Sequence, residues 1–600
     1  MNIDELLDGF TFDSDRPHGG FDQAGPQLIC YADRLAGSIA GVKELLDGPL
    51  ARAFDGVHLL PFFTPFDGAD AGFDPTDHTS VDPRLGSWDD VRALSRKPDG
   101  TKRSVMADVI VNHMSADAPQ FLDVVERGDE SPTAGMFLTL SSIYPDGATE
   151  EDLARIYRPR PGLPFTPMTL GGHKRLVWTT FTAQQVDLDI RDDATWDYLA
   201  EVITNLTEAG VDYLRLDAVG YVGKEAGTDC FMTESASDFI ERLRAFAHER
   251  GAEILVEVHG HHSQQIDIAD QSDWVYDFAL PPLILHALTT GDLEPLDHWL
   301  DIRPEYLFTV LDTHDGIGVI DVGPAGGGTP GGDDVEAADT VIDDVPSADD
   351  ADDIPEHETH LTVEDRIPGV LTFGGGVSVI LDDDGLDEEM WDDEVWDDVT
   401  IDRHSGLLEP EQIDALVETI HRNSGETSRA ATGAAASNLD LYQVNCTFYD
   451  ALGGDDRRYL LARLIQLFLP GAPQVYYVGL LAGHNDMDLL ARTGVGRDVN
   501  RHHYTPDEVT ENLERPVVQA QLAALRLRRE HPGFRASSVS TKPTADGMII
   551  TWGDTEEFEG IINHRVELRF TALTAEFAVS ASNAAGEMEV VLTHADVDPT

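Results

Sequence analysis

Gly210-Val211-Asp212-Tyr213-Leu214-Arg215-Leu216-Asp217-Ala218-Val219-Gly220-Tyr221 is the stretch on which the fold turns. Ahead of it, Trp196, Leu199, Val202, Ile203 and Leu206 recur at helical spacing, and Gly210 suits a helix C-terminus. Beyond it, a strand's period of two places Val211, Tyr213, Arg215 and Asp217 on one face and Leu214, Leu216 and Ala218 on the other. A helix leads into an apolar strand whose C-terminal tip carries an arginine and an aspartate pointing the same way. That is the pattern of a (β/α)8 barrel at its catalytic face. A strand-end salt bridge in another α/β protein would read alike, so the decision passes to the neighbouring segments.

Three of them repeat the pattern. Residues 251–261 form a short apolar run ending in Glu257, with His259 on the same face. Residues 306–316 form another, ending in His314 and Asp315, and residues 105–115 a further one, carrying Asp108 and His113. Four apolar strands with four polar tips argue for one shared catalytic rim.

In this order, the four segments resemble the signature regions of the α-amylase clan, glycoside hydrolase family 13, at the ends of barrel strands three, four, five and seven. Closer matches surround them: Gly56-Val57-His58-Leu59-Leu60-Pro61, Asp70-Ala71-Gly72-Phe73-Asp74, Arg158-Pro159-Arg160-Pro161, Asp277-Phe278-Ala279-Leu280-Pro281-Pro282 and Asn438-Leu439-Asp440-Leu441-Tyr442-Gln443. These resemble the sucrose phosphorylase subfamily. The resemblance runs from about residue 27 to about 532, with one interruption.

The fold class that follows is α/β: a (β/α)8 TIM barrel with an excursion domain after strand three, an acidic insertion after strand seven and a small C-terminal antiparallel β domain. Residues 1–26 are an acidic N-terminal extension. The barrel occupies 27–112 and 184–317, separated by excursion domain 113–183, whose Pro-, Gly- and Thr-rich text is too long for an ordinary loop. Residues 318–465 are a second excursion, 466–535 complete the barrel with a helix carrying Val517, Leu522, Leu525 and Leu527, and 536–600 make the β domain. Within the second excursion, 323–402 contain Arg366 as the sole basic residue and read as a solvated insertion. It has neither a phosphate-loop lysine nor zinc-protease spacing.

Composition narrows the partners. With 41 basic against 111 acidic residues the net charge is −70, which argues against nucleic acid and anionic membranes. Lysine is confined to Lys43, Lys97, Lys102, Lys174, Lys224 and Lys542. We read the balance as that of a cytoplasmic protein of a salt-loving cell, since at ~1 M salt the Debye length falls to ~3 Å and surface carboxylates repel little. The opening 25 residues do not read as a signal peptide, and no apolar run reaches the ~20 residues of a membrane span. Cys30, Cys230 and Cys446 are too few and too scattered for a disulfide framework or zinc site.

Retaining glycosidases need a carboxylate nucleophile and a carboxylic acid ~5–5.5 Å apart. The resemblance implies Asp217 as nucleophile, Glu257 as acid and base, and Asp315 as the third carboxylate, which tightens on sugar hydroxyls in the transition state. Arg215 is expected to hold Asp217 ionised by lowering its pKa. Asp70, Phe73, His113, Phe181, His314 and Arg497 are implied around the glucosyl unit. Asp440 and Gln443 are implied for fructose, and Arg160 and Tyr442 for phosphate. The implied reaction is reversible phosphorolysis of sucrose to α-glucose 1-phosphate and fructose. A sister phosphorylase acting on sucrose 6-phosphate, glucosylglycerol or glucosylglycerate is the alternative, followed by an α-glucosidase or transglucosidase. The substrates are then an α-glucoside and inorganic phosphate. No cofactor and no metal is expected, and a homodimer is left open. His259-Gly260-His261-His262 departs from the subfamily at the acceptor rim, and its three histidines alone do not make a metal site.

Overall fold

Eight short parallel strands close on themselves: β1 (Gln27–Cys30), β2 (Gly56–Leu59), β3 (Ser104–Ile110), β4 (Tyr213–Asp217), β5 (Glu253–Val256), β6 (Trp274–Asp277), β7 (Leu307–Thr309) and β8 (Ala472–Tyr476). Each pairs with its neighbours in sequence, and β8 returns to β1. Such strands are covered on both sides, and every residue of β1, β2, β6 and β8 is buried. The computed structural model describes residues 3–10, 25–158, 162–324, 370–373, 377–380, 405–434, 443–535, 538–553 and 564–597. They fall into two units, 1–328 with 406–600, and 329–405.

The helix expected before β4 spans Asp193–Glu208 and buries Leu199, Val202, Ile203 and Leu206. It starts on the Asp192 carboxylate, which caps the Ala194 N–H, and beyond it Gly210 takes a φ of +90°. β4 and β5 fall within the stretches read as strands, whereas β7 stops at Thr309, so His314 and Asp315 stand on the loop beyond it. Glu257 likewise is the first residue past β5.

The excursion after β3 holds more regular structure than its composition suggests. A helix (Pro119–Arg127) and a hairpin (Phe165–Leu170 with His173–Trp178) are enclosed by a short antiparallel pair, His113–Ser115 with Gln185–Asp187. His113 opens this pair just beyond the end of β3, and the pair closes at Asp187. The N-terminal extension also contributes to the core: Ile3–Leu7 is helical and buries Ile3, Leu6 and Leu7, while Asp4 pairs with Arg526 at 3.0 Å.

At the C-terminal end, five antiparallel strands (Val539–Pro543, Gly547–Trp552, Val566–Thr571, Glu576–Ser582 and Met588–Thr593) form a meander. The alternation read in 548–552 is realised, with Met548, Ile550 and Trp552 buried. Trp552 donates its indole N–H to the Phe468 carbonyl at 2.6 Å, tying the sheet to the helix Asp456–Phe468. In the second unit, Val370–Phe373 and Val377–Ile380 pair as an antiparallel hairpin. The remaining residues of the acidic insertion lie outside the described residues. Among the described residues, no helix is long and apolar enough to cross a membrane.

One of the six lysines is buried at the root of the excursion. The Lys224 ammonium donates to Asn112 Oδ1 at 3.0 Å and to the Tyr221 carbonyl, and pairs with Asp187 Oδ2 at 2.8 Å. Those oxygens come from the ends of β3, β4 and the excursion, so one tethered cation draws three separate segments together. Stranding a buried carboxylate by removing its partner costs about 3–5 kcal/mol. We expect Lys224→Met to lose stability on that scale in denaturant titrations; a loss below about 1 kcal/mol would show that Asp187 does not depend on it.

Candidate active site

The C-terminal rim of the barrel encloses a pocket with about 100 Å³ of space open to water. Its floor is set by strand register. Arg215 on β4 lies directly across from Asp108 on β3, and its Nη1 donates to Asp108 Oδ1 at 2.6 Å. The same nitrogen donates to Asp217 Oδ1 at 3.0 Å, while Nη2 pairs with Glu257 Oε1 at 2.6 Å. His58 Nε2, from β2, meets the other oxygen of Asp108 at 3.0 Å. Arg215 is 2 % exposed and Asp108 fully buried, so one guanidinium is clamped by three carboxylates out of water.

Asp217 and Glu257 thus share an arginine at the tips of adjoining strands, and both line the pocket. Ala218, immediately after Asp217, adopts a φ of +54° and turns its N–H to Glu257 Oε2 at 3.2 Å. A non-glycine residue in that region costs of order 1–3 kcal/mol, retained where the surroundings enforce it.

The protonation state differs from the expectation. Burial, followed by the Glu257 charge, pushes the Asp217 carboxyl well above the usual range. Arg215 does pull it down, but burial and the second carboxylate outweigh it. At an effective dielectric near 20, two like charges ~4 Å apart repel by ~4 kcal/mol, enough for such a pair to hold one proton between them. Asp315 shows the opposite balance. Burial works against its ionisation, yet Arg497, His314, Arg501 and His259 together hold it far below the ordinary carboxylate range. Arg497 Nη1 lies 2.9 Å from Asp315 Oδ1 and 3.8 Å from Asp70 Oδ1.

The remaining expected residues gather on the walls. Phe73 stacks on His314, with centroids 4.6 Å apart and planes 8° from parallel. His113 Nε2 is 2.9 Å from the Phe73 carbonyl, and its ring packs on Phe181. Burial drives His314 down to about 3 and lowers His113 as well, so both rings are neutral near pH 7. Gln443 lines the pocket, its Oε1 accepting from the Gly316 N–H at 3.1 Å. Arg160, Asp440 and Tyr442 lie outside the described residues.

Several residues here were not anticipated. Tyr157, Tyr221 and Phe231 form an aromatic flank, and Gln185 Nε2 donates to Asp70 Oδ2 at 2.7 Å. Asp321 holds His259, which stacks on Phe278 at 3.9 Å. Gln185 has a faint signal in the alternation of residues 185–188; Asp321 has none. The histidines of 259–262 do not converge: His261 turns to Ser263, and His262 packs towards Trp299. Glu257, His259 and Asp315 present atoms within 4.8 Å of one another, and Arg215 and Arg497 match the charge of the two carboxylates.

Comparison with known proteins agrees with this geometry. Residues 13–278 match the model of the alpha amylase catalytic domain. Sucrose phosphorylase of Bifidobacterium adolescentis is 49% identical over 533 residues, covering 88% of this chain and 90% of that protein. Sucrose phosphorylase of Agrobacterium vitis is 46% identical, over 89% and 94%. The crystal structure of sucrose 6F-phosphate phosphorylase from Thermoanaerobacter thermosaccharolyticum superposes with a TM-score of 0.72 at 28% identity, covering 95% of this chain and 98% of that one. With its catalytic-face carboxylates in place and near-half identity over most of its length, the chain belongs to the sucrose phosphorylase family of the α-amylase clan.

Proposed function

We propose that the protein catalyses sucrose + phosphate → α-D-glucose 1-phosphate + D-fructose by double displacement through a β-glucosyl ester on Asp217. The observation that carries this reading is the single guanidinium joining Asp217 and Glu257 at the floor of the rim pocket. A shared arginine keeps the two carboxyls close enough to flank one glycosidic bond, as retention requires.

Glu257 pairs through Oε1 with Arg215 and accepts the Ala218 N–H at Oε2, while burial and then the Glu257 charge raise Asp217, so the pair's proton rests on Asp217. Sucrose seated with its glycosidic oxygen against Glu257 draws the proton to that side. Asp217 then attacks C1 as Glu257 protonates the departing fructose oxygen. In the second half, Glu257 takes the proton of the incoming phosphate, whose oxygen attacks C1 and releases Asp217. Asp315, fixed as an anion, and Arg497 grip the sugar hydroxyls most strongly as the oxocarbenium-like charge develops. His113 and His314 act as neutral hydrogen-bonding walls, Phe73 and Phe181 as apolar ones, and Asp70 completes the glucosyl subsite. Arg160 and Tyr442 serve phosphate, and Asp440 and Gln443 serve fructose.

The location we propose is cytoplasmic, in a high-salt interior. Supporting it are three buried free thiols and the charge of −70. The substrates are a soluble α-glucoside and phosphate; assembly as a homodimer is compatible with the fold.

Incubation with sucrose and phosphate in molar salt should release glucose 1-phosphate. Phosphate-independent release of glucose as the main product would replace this reading with a hydrolase. Asp217→Asn and Glu257→Gln should each lower turnover by several orders of magnitude, and near-normal turnover in either would remove the assignment.

The same Asp217→Asn change should stabilise the fold. A carboxyl raised in the folded state binds more protons there than in the unfolded chain. Its contribution is fully present below the ordinary aspartate pKa and is lost as pH rises through the folded value. The gain in melting temperature should therefore be larger at pH 8 than at pH 5; an equal gain at both would contradict the raised pKa. Arg160→Ala should weaken phosphorolysis more than background hydrolysis, and an equal loss in both would remove its phosphate role. Melting temperature should rise between dilute buffer and molar salt, and no change would dismiss the high-salt origin.

A further inference from the structure

Asp321 sits on the loop after β7, fully buried, with His259 as its only charged partner among the described residues. Oδ2 lies 3.1 Å from His259 Nδ1, and Oδ1 accepts from the Gly260 N–H and from Gln265 Nε2, both at 3.2 Å. The space for this carboxylate is kept by Gly318, where any Cβ would collide with Asp321 Oδ2. Gly318 also pairs with Gln443, so the arrangement is built into the strand pair that ends the acceptor-side loop.

The other edge of the imidazole points the opposite way. Nε2 is buried, has no hydrogen-bond partner among the described residues and stands 3.9 Å from Glu257 Oε1, too far to bond. His259 lines the pocket beside Glu257. The groups facing the ring are the Phe278 ring stacked on it from the β6 loop, Glu257 from β5, and Asp315 and Asp321 from the β7 loop. Glu257 and Asp315 each have a guanidinium as ion-pair partner, Arg215 and Arg497. Among the described residues, Asp321 has no guanidinium partner. A buried carboxylate left unpaired is costly, so it demands a proton on its histidine.

We propose that Asp321 is a positioning residue for the second half-reaction: it fixes the His259 ring and keeps it cationic, so that Nε2–H meets an oxygen of the incoming inorganic phosphate next to Glu257. This rests on the phosphorylase reading above. The direction of the His259 pKa agrees: against the lowering by burial, Asp321, then Glu257 and Asp315, raise it above the ordinary histidine value. Phosphate affinity should then be full below that raised value and fall as pH rises through it.

The test compares the full-length wild type with Asp321→Asn and Asp321→Glu in molar salt, using sucrose and inorganic phosphate. Asp321→Asn should raise the KM for phosphate at least tenfold and shift its alkaline limb to lower pH. The burst of fructose that reports glucosyl-ester formation should stay within about threefold of wild type. Asp321→Glu should restore most of the phosphate KM. His259→Gln, as a second variant, should abolish the alkaline limb, and histidine NMR titration should show the His259 pKa falling in Asp321→Asn. An unchanged phosphate KM, a parallel loss in both half-reactions, or an unmoved His259 titration would overturn the proposal. A wild type that makes no glucose 1-phosphate would instead refute the phosphorylase reading, while the NMR titration would still report on the pair.

Discussion

One buried guanidinium organises the catalytic rim. Arg215 is held by Asp108 on one side and by Asp217 and Glu257 on the other, so three carboxylates converge on a single positive charge. Their charges cannot all be expressed at once in a site shielded from water, and a proton must be retained within the group. That constraint explains the surroundings. His58 stands behind Asp108 and keeps its second oxygen satisfied. Asp108 is held below the ordinary range: burial opposes this, but His58 and Arg215 prevail. The surplus proton is thereby excluded from Asp108 and confined to the two carboxyls that face the pocket. A buried acid that cannot lose its proton cheaply and a second acid beside it form a proton-sharing couple, which is what general acid catalysis followed by general base catalysis needs.

The same couple sets a tension between folding and function. A raised Asp217 and a positive φ at Ala218 both oppose the stability of the fold. They are tolerated because the barrel sheet is closed and β4 is buried from Leu214 to Asp217. Lys224 adds to that frame by joining the ends of β3 and β4 to the excursion that covers the site.

Much of this frame was legible in the chain itself, and the limits have a common physical cause. Period-two alternation located β4, and it correctly placed Arg215 and Asp217 on one face because that depends only on residues two apart. The polar tips at Glu257, His314 and Asp315 were visible for the same reason, although β5 and β7 stop short of them. The parts that were missed depend on register between segments far apart in sequence. His58 and Asp108 become partners only when β2 and β3 align, Lys224 meets Asp187 only after the excursion folds back, and Asp321 reaches His259 across 62 positions. The pKa of Asp217 misled for a related reason. Sequence shows the arginine two residues away, but not the burial or the Glu257 carboxylate, and those two decide the sign.

The pocket also sorts its histidines by charge. Burial leaves His113 and His314 neutral, with Asp315 beside them as the fixed anion. His259 is buried too, but the unmatched Asp321 carboxylate behind it reverses the balance and favours the imidazolium. The two outcomes come from one rule: an imidazole in a dry site is neutral unless a carboxylate directly bonded to it outweighs the loss of water. At a net charge of −70, long-range attraction cannot bring phosphate in, and in molar salt such fields are screened within a few ångströms. In the reading proposed above, recognition of the anion is a matter of contact, made by a cation whose charge is secured by a partner buried immediately behind it.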